Sequence, residues 1–232
     1  MGSTRLPGKV LLDIFGQTML SRVVHRVRQA STLNEVIVAT SDADSDDVIE
    51  KECKKLQVNV FRGNENDVLD RFYQASLFCK AEVIVRITAD CPLIEPTIID
   101  KVVSAFLSSN VDYASNTLVR TYPRGLDVEV ISSSALATAC REANKPYQRA
   151  HVTPYLYENA NSFRLLSITS SPDYSCYRWT VDTNEDLQFI RRVYESFGRK
   201  DFDWCDVIEL CKREPELTEL NRQIKQKALE KG

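Results

Sequence analysis

Short runs of β-branched and apolar residues alternate with longer stretches of helical period through the first half of the chain, and this alternation constrains the fold more than any other feature. Glu35-Val36-Ile37-Val38-Ala39-Thr40, Val58-Asn59-Val60-Phe61 and Glu82-Val83-Ile84-Val85-Arg86-Ile87 read as strands. The first and third are nearly all apolar, as expected where both faces of a sheet are covered. Residues 18–30, 44–56 and 67–80 carry apolar positions at helical spacing, for example Met19, Val23 and Val27, or Val68, Phe72, Ala75 and Cys79. Pro96 to Leu107 adds a helix with proline in its first turn.

The second half is mixed. Strands are expected at 127–131, 163–169 and 178–181, helices at 134–143 and 185–197, and a charged amphipathic helix over 203–230. Without an internal repeat or linker, the pattern predicts a single α/β domain over 1–232, with a helical extension from about residue 200. Its sheet should be mixed but mostly parallel and flanked by helices.

Composition removes several classes of function. With 43% hydrophobic and 27% charged residues, the chain is not of the disordered type. A net charge of -3 and a pI near 5.6 argue against a broad phosphate-binding surface, so no nucleic-acid partner is expected and any anion site must be local. Seven cysteines in scattered positions, no CxxC pair and only two histidines indicate neither a disulfide framework nor a zinc site, and fit a reducing cytoplasm. No apolar run is long enough to cross a bilayer, and Met1-Gly2-Ser3-Thr4-Arg5 has no signal-peptide core, so neither export nor a membrane partner is expected.

Ser3-Thr4-Arg5-Leu6-Pro7-Gly8-Lys9 combines hydroxyls, glycine, a turn-setting proline and two cations ahead of a helix. Exposed backbone N–H groups and fixed positive charge make such a loop a cradle for polyphosphate. The alternative is a frayed terminus with a Pro-Gly turn and solvated cations. It is not a Walker A loop, because five residues rather than four separate Gly2 from Gly8 and Val10 follows the lysine. In open α/β sheets the first ligand loop follows the first, central strand. Here the loop begins at residue 1, so either it is anchored in some other way or a strand the architecture expects is missing.

Two carboxylates are placed for metal binding. Asp90, in Thr88-Ala89-Asp90-Cys91-Pro92-Leu93, directly follows a strand; it suits one ligand of Mg²⁺, or a cap for the turn or helix beyond. Asp182 lies where a short strand gives way to a helix, and the capping box of Thr183 with Asp186 leaves it without a local role. If Asp90 and Asp182 meet, a divalent cation between them relieves their repulsion. Asp127 and Glu129 share one strand face, to accept hydrogen bonds from sugar hydroxyls or to face solvent. Arg149 beside His151 suits a carboxylate or phosphate contact, whereas a lone histidine is more often structural. Asp67 and Asp70 are explained by a helix N-terminus, while Arg71 in that same turn is free to face the ligand edge. Cys91 and His25 are assigned to packing and structure.

STRLPGK, VIVATSDADSDDVI, FRGNENDVLDRF, VRITADCPLI, DYASN, YPRGLDVEV, RAHVTPYL and WTVDTNEDL, in this order, closely resemble the spore coat polysaccharide biosynthesis protein F family. That family is similar to the KDO and acylneuraminate cytidylyltransferases. The resemblance implies a Rossmann-like nucleotidyltransferase fold, that of the nucleotide-diphospho-sugar transferases, binding CTP and Mg²⁺ and making a CMP-sugar with release of pyrophosphate. Carried over by motif, Arg5 and Lys9 would neutralise the triphosphate, with Ser3 in the same loop. Asp90 and Asp182 would hold the metal, and Arg71 would lie near the nucleotide. Asp127, Glu129, Arg149 and His151 would lie toward the sugar, and a homodimer is the family expectation.

The resemblance also implies an apolar strand ending in Ala-Arg before Met-Gly-Ser, and this sequence starts at that Met. Without that strand, neighbouring strand edges would be exposed and the phosphate loop loosened, with poor solubility or low activity. A glycosyltransferase using a nucleotide-sugar is the alternative enzyme, although its usual DxD triplet is absent from TADCP. A nucleotide-binding remnant is the non-enzymatic one.

Overall fold

The computed structural model describes residues 1–198 and 201–228. After a 3-10 turn at Lys9–Leu11 come β1 (Asp13–Ile14), β2 (Gln17–Thr18), α1 (Met19–Val27), β3 (Ile37–Ser41), a second 3-10 turn at Asp44–Asp46, and α2 (Asp47–Leu56). Then follow β4 (Asn59–Gly63), α3 (Val68–Phe78), β5 (Val83–Arg86) and α4 (Pro96–Leu107). The second half runs β6 (Tyr113–Ser115), β7 (Glu129–Ser132), α5 (Ser133–Glu142), α6 (Pro146–His151), α7 (Pro154–Glu158), β8 (Leu165–Ser167), α8 (Asn184–Phe197), α9 (Trp204–Arg213) and α10 (Glu216–Glu219).

Capping chemistry sets several of these limits. Asp67 accepts from the backbone N–H of Asp70 to start α3, and Pro96 follows the Glu95 cap of α4. The box of Thr183 and Asp186 opens α8 as the sequence indicates. Two expectations need correction. Residues 178–181 form no strand, only a bridge between Arg124 and Arg178, because their backbone bonds to two loops: Trp179 N–H donates to Arg124 O and Val181 N–H to Asp90 O. The helix expected over 203–230 stops at Arg213, ahead of Pro215, which cannot continue it. Beyond the single turn of α10 the chain is non-helical to residue 228, and positions 229 and 230 of that expectation lie outside the described residues. Finally, β6, α6 and α7 are too short for periodicity to reveal.

The strands form a mixed arrangement. β3 and β4 pair in parallel, while the larger sheet has the order β5-β7-β6-β8, with β7 antiparallel to both neighbours and β8 parallel to β6. Among the described residues no ladder joins β3 to β5. Ile37, Val38 and every residue of β5 remain only half-buried, as strand edges without a partner do. Period-two alternation divides the larger sheet between two cores. Ala114 and Val130 face one with α1, α4, α8 and α9; Tyr113 and Ile131 face the other with α3, α5 and α7. Each fully buried large apolar side chain contributes about 1.5–3 kcal/mol to this packing.

The first residue makes an ion pair and an apolar contact. The Met1 ammonium donates to Asp46 Oδ1 at 2.6 Å, and Met1 packs with Val10, Val38 and Ala89. Asp46, whose side chain is 7% exposed, also accepts from Thr40 Oγ1 at 2.7 Å and Ser41 Oγ at 2.6 Å. Burial alone would raise its pKa; the ammonium, Ser41 and Thr40 outweigh this and hold it well below the ordinary 3.8. The sign follows from linkage: a depressed carboxyl stabilises the fold above its unfolded pKa and loses that contribution as pH falls through the folded value. Asp46→Asn is therefore expected to cost about 2 kcal/mol at pH 7. Urea midpoints should show the gap to wild type narrowing as the pH is lowered from 7 to 3, and a pH-independent gap would contradict the assignment.

Candidate active site

Asp90 follows β5 and Asp182 precedes α8, and the fold makes them neighbours. Val181 N–H donates to Asp90 O at 2.9 Å, which stitches the two segments together. Lys9 then reaches between the carboxylates. Its Nζ donates to Asp90 Oδ2 at 2.7 Å, to Val181 O at 2.7 Å and to Asp182 Oδ1 at 3.0 Å. Gly8 makes this possible by adopting φ 69° at the start of the 3-10 turn, a left-handed conformation that suits glycine.

The other oxygen of Asp182 is held by Arg5 at 2.9 Å and Arg178 at 2.8 Å. Asp90 Oδ1 accepts from Thr88 Oγ1 at 2.6 Å. The helix-cap role left open for Asp90 falls to Glu95, which accepts from Thr97 N–H. Burial works against the Lys9 ammonium, yet Asp90 and then Asp182 outweigh it and raise its pKa above 10.5. Burial would likewise raise the Asp182 pKa, but Lys9, Arg178 and Arg5 hold it below 3.8. Both groups are thus kept ionised.

Arg178 and Asp186 complete this arrangement, and the sequence reading missed both as functional. Asp186 is fully buried; it accepts from Arg178 Nε at 2.8 Å, from the N–H of Asp182 at 2.9 Å and from Asn221 Nδ2 at 3.0 Å. The carboxylate therefore caps α8 and also orients the arginine that grips Asp182. Capping-box spacing accounted for Asp186 so fully that nothing in the sequence pointed to the second task. Gln226 accepts from Arg178 Nη1, and Lys227 donates to Thr4 Oγ1, so the C-terminal segment lies against the N-terminal loop.

A cavity of about 230 Å³ opens beside Lys9, between β3 and the loop after β5, lined by Gly2, Ser3, Thr40, Ser41 and Arg71 among others. Ser3 Oγ accepts from Leu6 N–H and shapes the loop. Arg71 has a buried Nε without a hydrogen-bond partner, and burial lowers its pKa. A desolvated guanidinium of this kind is suited to a ligand's oxygens.

Of the remaining candidates, Asp127, Glu129 and Arg149 are held by other partners. Asp127 is gripped by Arg120 through two bonds of 2.6 and 2.8 Å. Glu129 is buried in a network with Arg86, Tyr113 and Thr153. Burial, then Glu129, pushes the Tyr113 phenol well up. Arg149 turns to Asp67, the cap of α3, and to the carbonyl of Cys140; His151 ends α6 half-buried.

The donor set fits Mg²⁺. Two carboxylates are the hard oxygen ligands it prefers, and they already hold one cation, the Lys9 ammonium, between them. Among the described residues no group of three or more His, Cys, Asp or Glu converges. Likewise, no helix among them is long and apolar enough to cross a membrane.

Comparison with known proteins identifies the family and the fold. The profile of the family described as cytidylyltransferase covers residues 1–229. The spore coat polysaccharide biosynthesis protein SpsF of Bacillus subtilis is 35% identical over 224 residues, which are 93% of this chain and 92% of the relative. A 3-deoxy-manno-octulosonate cytidylyltransferase of Syntrophotalea carbinolica is 34% identical over 102 residues, 44% of this chain and 40% of its own. The solved structure of a cytidylyltransferase from Leptospira borgpetersenii superposes with a TM-score of 0.91 at 34% identity, covering 98% of this chain and 95% of that one. Agreement of sequence and fold over nearly the whole length leaves one assignment, and the chain belongs to the cytidylyltransferase family.

Proposed function

We propose that this cytidylyltransferase moves CMP from CTP to a sugar hydroxyl in surface-polysaccharide biosynthesis, releasing pyrophosphate. The observation that carries the reading is the Lys9 ammonium lodged between Asp90 and Asp182, with Arg5 on the outer oxygen of Asp182. Cations stacked on paired carboxylates are a reservoir of positive charge beside the cavity. Lys9 and Arg5 would exchange carboxylate oxygens for those of an entering triphosphate, and Asp90 and Asp182 would then be the residues to hold Mg²⁺. The bound ion supplies charge neutralisation at the phosphate oxygens. The acceptor hydroxyl oxygen bonds to the α-phosphorus, the bond to the bridging oxygen breaks, pyrophosphate leaves and the hydroxyl proton passes to solvent. Positioning and fixed charge carry such a transfer, with no covalent enzyme intermediate.

Arg71 faces the nucleotide from the cavity wall, consistent with its lone Nε. Asp127, Glu129, Arg149 and His151 belong, on this reading, to the acceptor side or its support. The sugar acceptor is supported by the similarity to the 3-deoxy-manno-octulosonate enzyme, and the polysaccharide context by that to SpsF. Residues 1–232 act as one catalytic domain, in the cytoplasm and as a homodimer, by the same resemblance; seven cysteines without disulfides suit a reducing compartment.

The test is pyrophosphate release from CTP with MgCl₂ and 3-deoxy-manno-octulosonate, N-acetylneuraminate, mannose 6-phosphate or mannose as acceptor. Release that needs both CTP and an acceptor, and that falls at least about a hundredfold with EDTA, is the expected result. Use of a sugar nucleotide as donor, or release indifferent to EDTA, would overturn it.

A further inference from the structure

Residues 222–228 bridge two parts of the site that are far apart in sequence, and the contacts that fix their course are polar. Their root is Asn221, which is 4% exposed and donates from Nδ2 to Arg178 O at 2.9 Å and to Asp186 Oδ1 at 3.0 Å. A turn follows, with Ile224 N–H on Asn221 O at 3.0 Å. Gln226 Oε1 then accepts from Arg178 Nη1 at 2.8 Å, and Lys227 Nζ donates to Thr4 Oγ1 at 3.1 Å. The segment therefore runs from the arginine that grips Asp182 to the loop that carries Arg5 and Lys9. None of its side chains is buried, and only Ile224 reaches half-burial. Exposed hydrogen bonds contribute little net free energy, so the segment is held weakly and can open.

The charge of the segment points to a ligand. Arg222-Gln223-Ile224-Lys225-Gln226-Lys227-Ala228 carries three cations and no acid. Arg222 pairs with Glu219, whereas Lys225 and Lys227 make no ion pair with any described residue. Lys227 rests instead on a neutral hydroxyl, that of Thr4, which stands in the loop between Ser3 at the cavity wall and Arg5 on Asp182. A third cation brought to Arg5 and Lys9 adds repulsion, which an anion of several charges relieves. A triphosphate is such an anion, and the cavity beside Lys9 opens next to this loop. We propose that residues 222–228 form a strap that closes over the triphosphate, with Lys227 as a further phosphate-binding cation and Gln226 tying the strap to Arg178. The strap and Asp182 then share one guanidinium. This rests on the cytidylyl-transfer reading above.

Titration calorimetry of the full chain with CTP and with CMP, in MgCl₂, tests it for wild type, Lys227→Ala and Lys227→Arg. Lys227→Ala should raise the CTP Kd roughly three- to tenfold and leave the CMP Kd, without β- and γ-phosphates, within about twofold. Lys227→Arg should recover part of the loss. Trypsin, which cuts after Lys225 and Lys227, should cleave the wild-type segment more slowly with CTP than with CMP. An unchanged CTP Kd in Lys227→Ala overturns the proposal, as does equal weakening of CTP and CMP, or cleavage indifferent to CTP. Tighter CTP binding by Lys227→Ala also overturns it, since the segment would then obstruct the site. A wild type that binds neither nucleotide would instead overturn the underlying reading, and this proposal with it.

Discussion

Asp182→Ala should lower the rate of pyrophosphate release from CTP by about three orders of magnitude while leaving the protein folded. Asp182 is where the charges of the site converge: Lys9 on one oxygen, Arg5 and Arg178 on the other. Its removal deletes one of the two carboxylates proposed for Mg²⁺ and leaves three cations facing one another. Lys9 would keep Asp90 and the Val181 carbonyl, so the loop loses one tether rather than all. Arg178 would keep Asp186. A thousandfold loss corresponds to about 4 kcal/mol of transition-state stabilisation, within the range for removing a preorganised charge. Kinetics of pyrophosphate release together with circular dichroism check this, and a loss of less than about tenfold in a folded variant would refute the assigned role.

Gly125→Ala should cost roughly 3–5 kcal/mol and leave little folded protein at 37 °C. Gly125 sits at φ +108°, and a Cβ built there meets Thr180 N and the carbonyl carbon of Trp179, both at 2.6 Å. Those atoms are backbone, and they belong to the segment that carries Asp182, so relief by rotating a side chain is not available. Gly198 supplies the control: φ is +56° with nothing within 4 Å, so alanine there should cost only about 1–2 kcal/mol. Thermal unfolding of the two variants separates steric exclusion from left-handed strain alone. Equal shifts would mean that the contact with Trp179 and Thr180 carries no weight.

The division between what could and could not be read from the sequence follows from how far the relevant physics reaches along the chain. The strands at 37–41, 59–63 and 83–86 and the helices between them were legible because burial on one or two faces writes a local period. The Thr183–Asp186 box was equally local. Arg178 was not, because an arginine before a helix has many uses and only its contacts with Asp182 and Asp186 select one.

By itself, then, the sequence determined the alternating α/β plan, the anchoring turns and the residue types available for phosphate and metal, since propensity, capping and amphipathic period act over a few residues. Only the tertiary structure decided that Lys9 lies between Asp90 and Asp182 and that the strands divide into two ladders. It likewise decided that Asp127 and Glu129 are occupied by Arg120 and Arg86. Ion pairing and strand partnership are settled by which distant segments share space, and no local period records that.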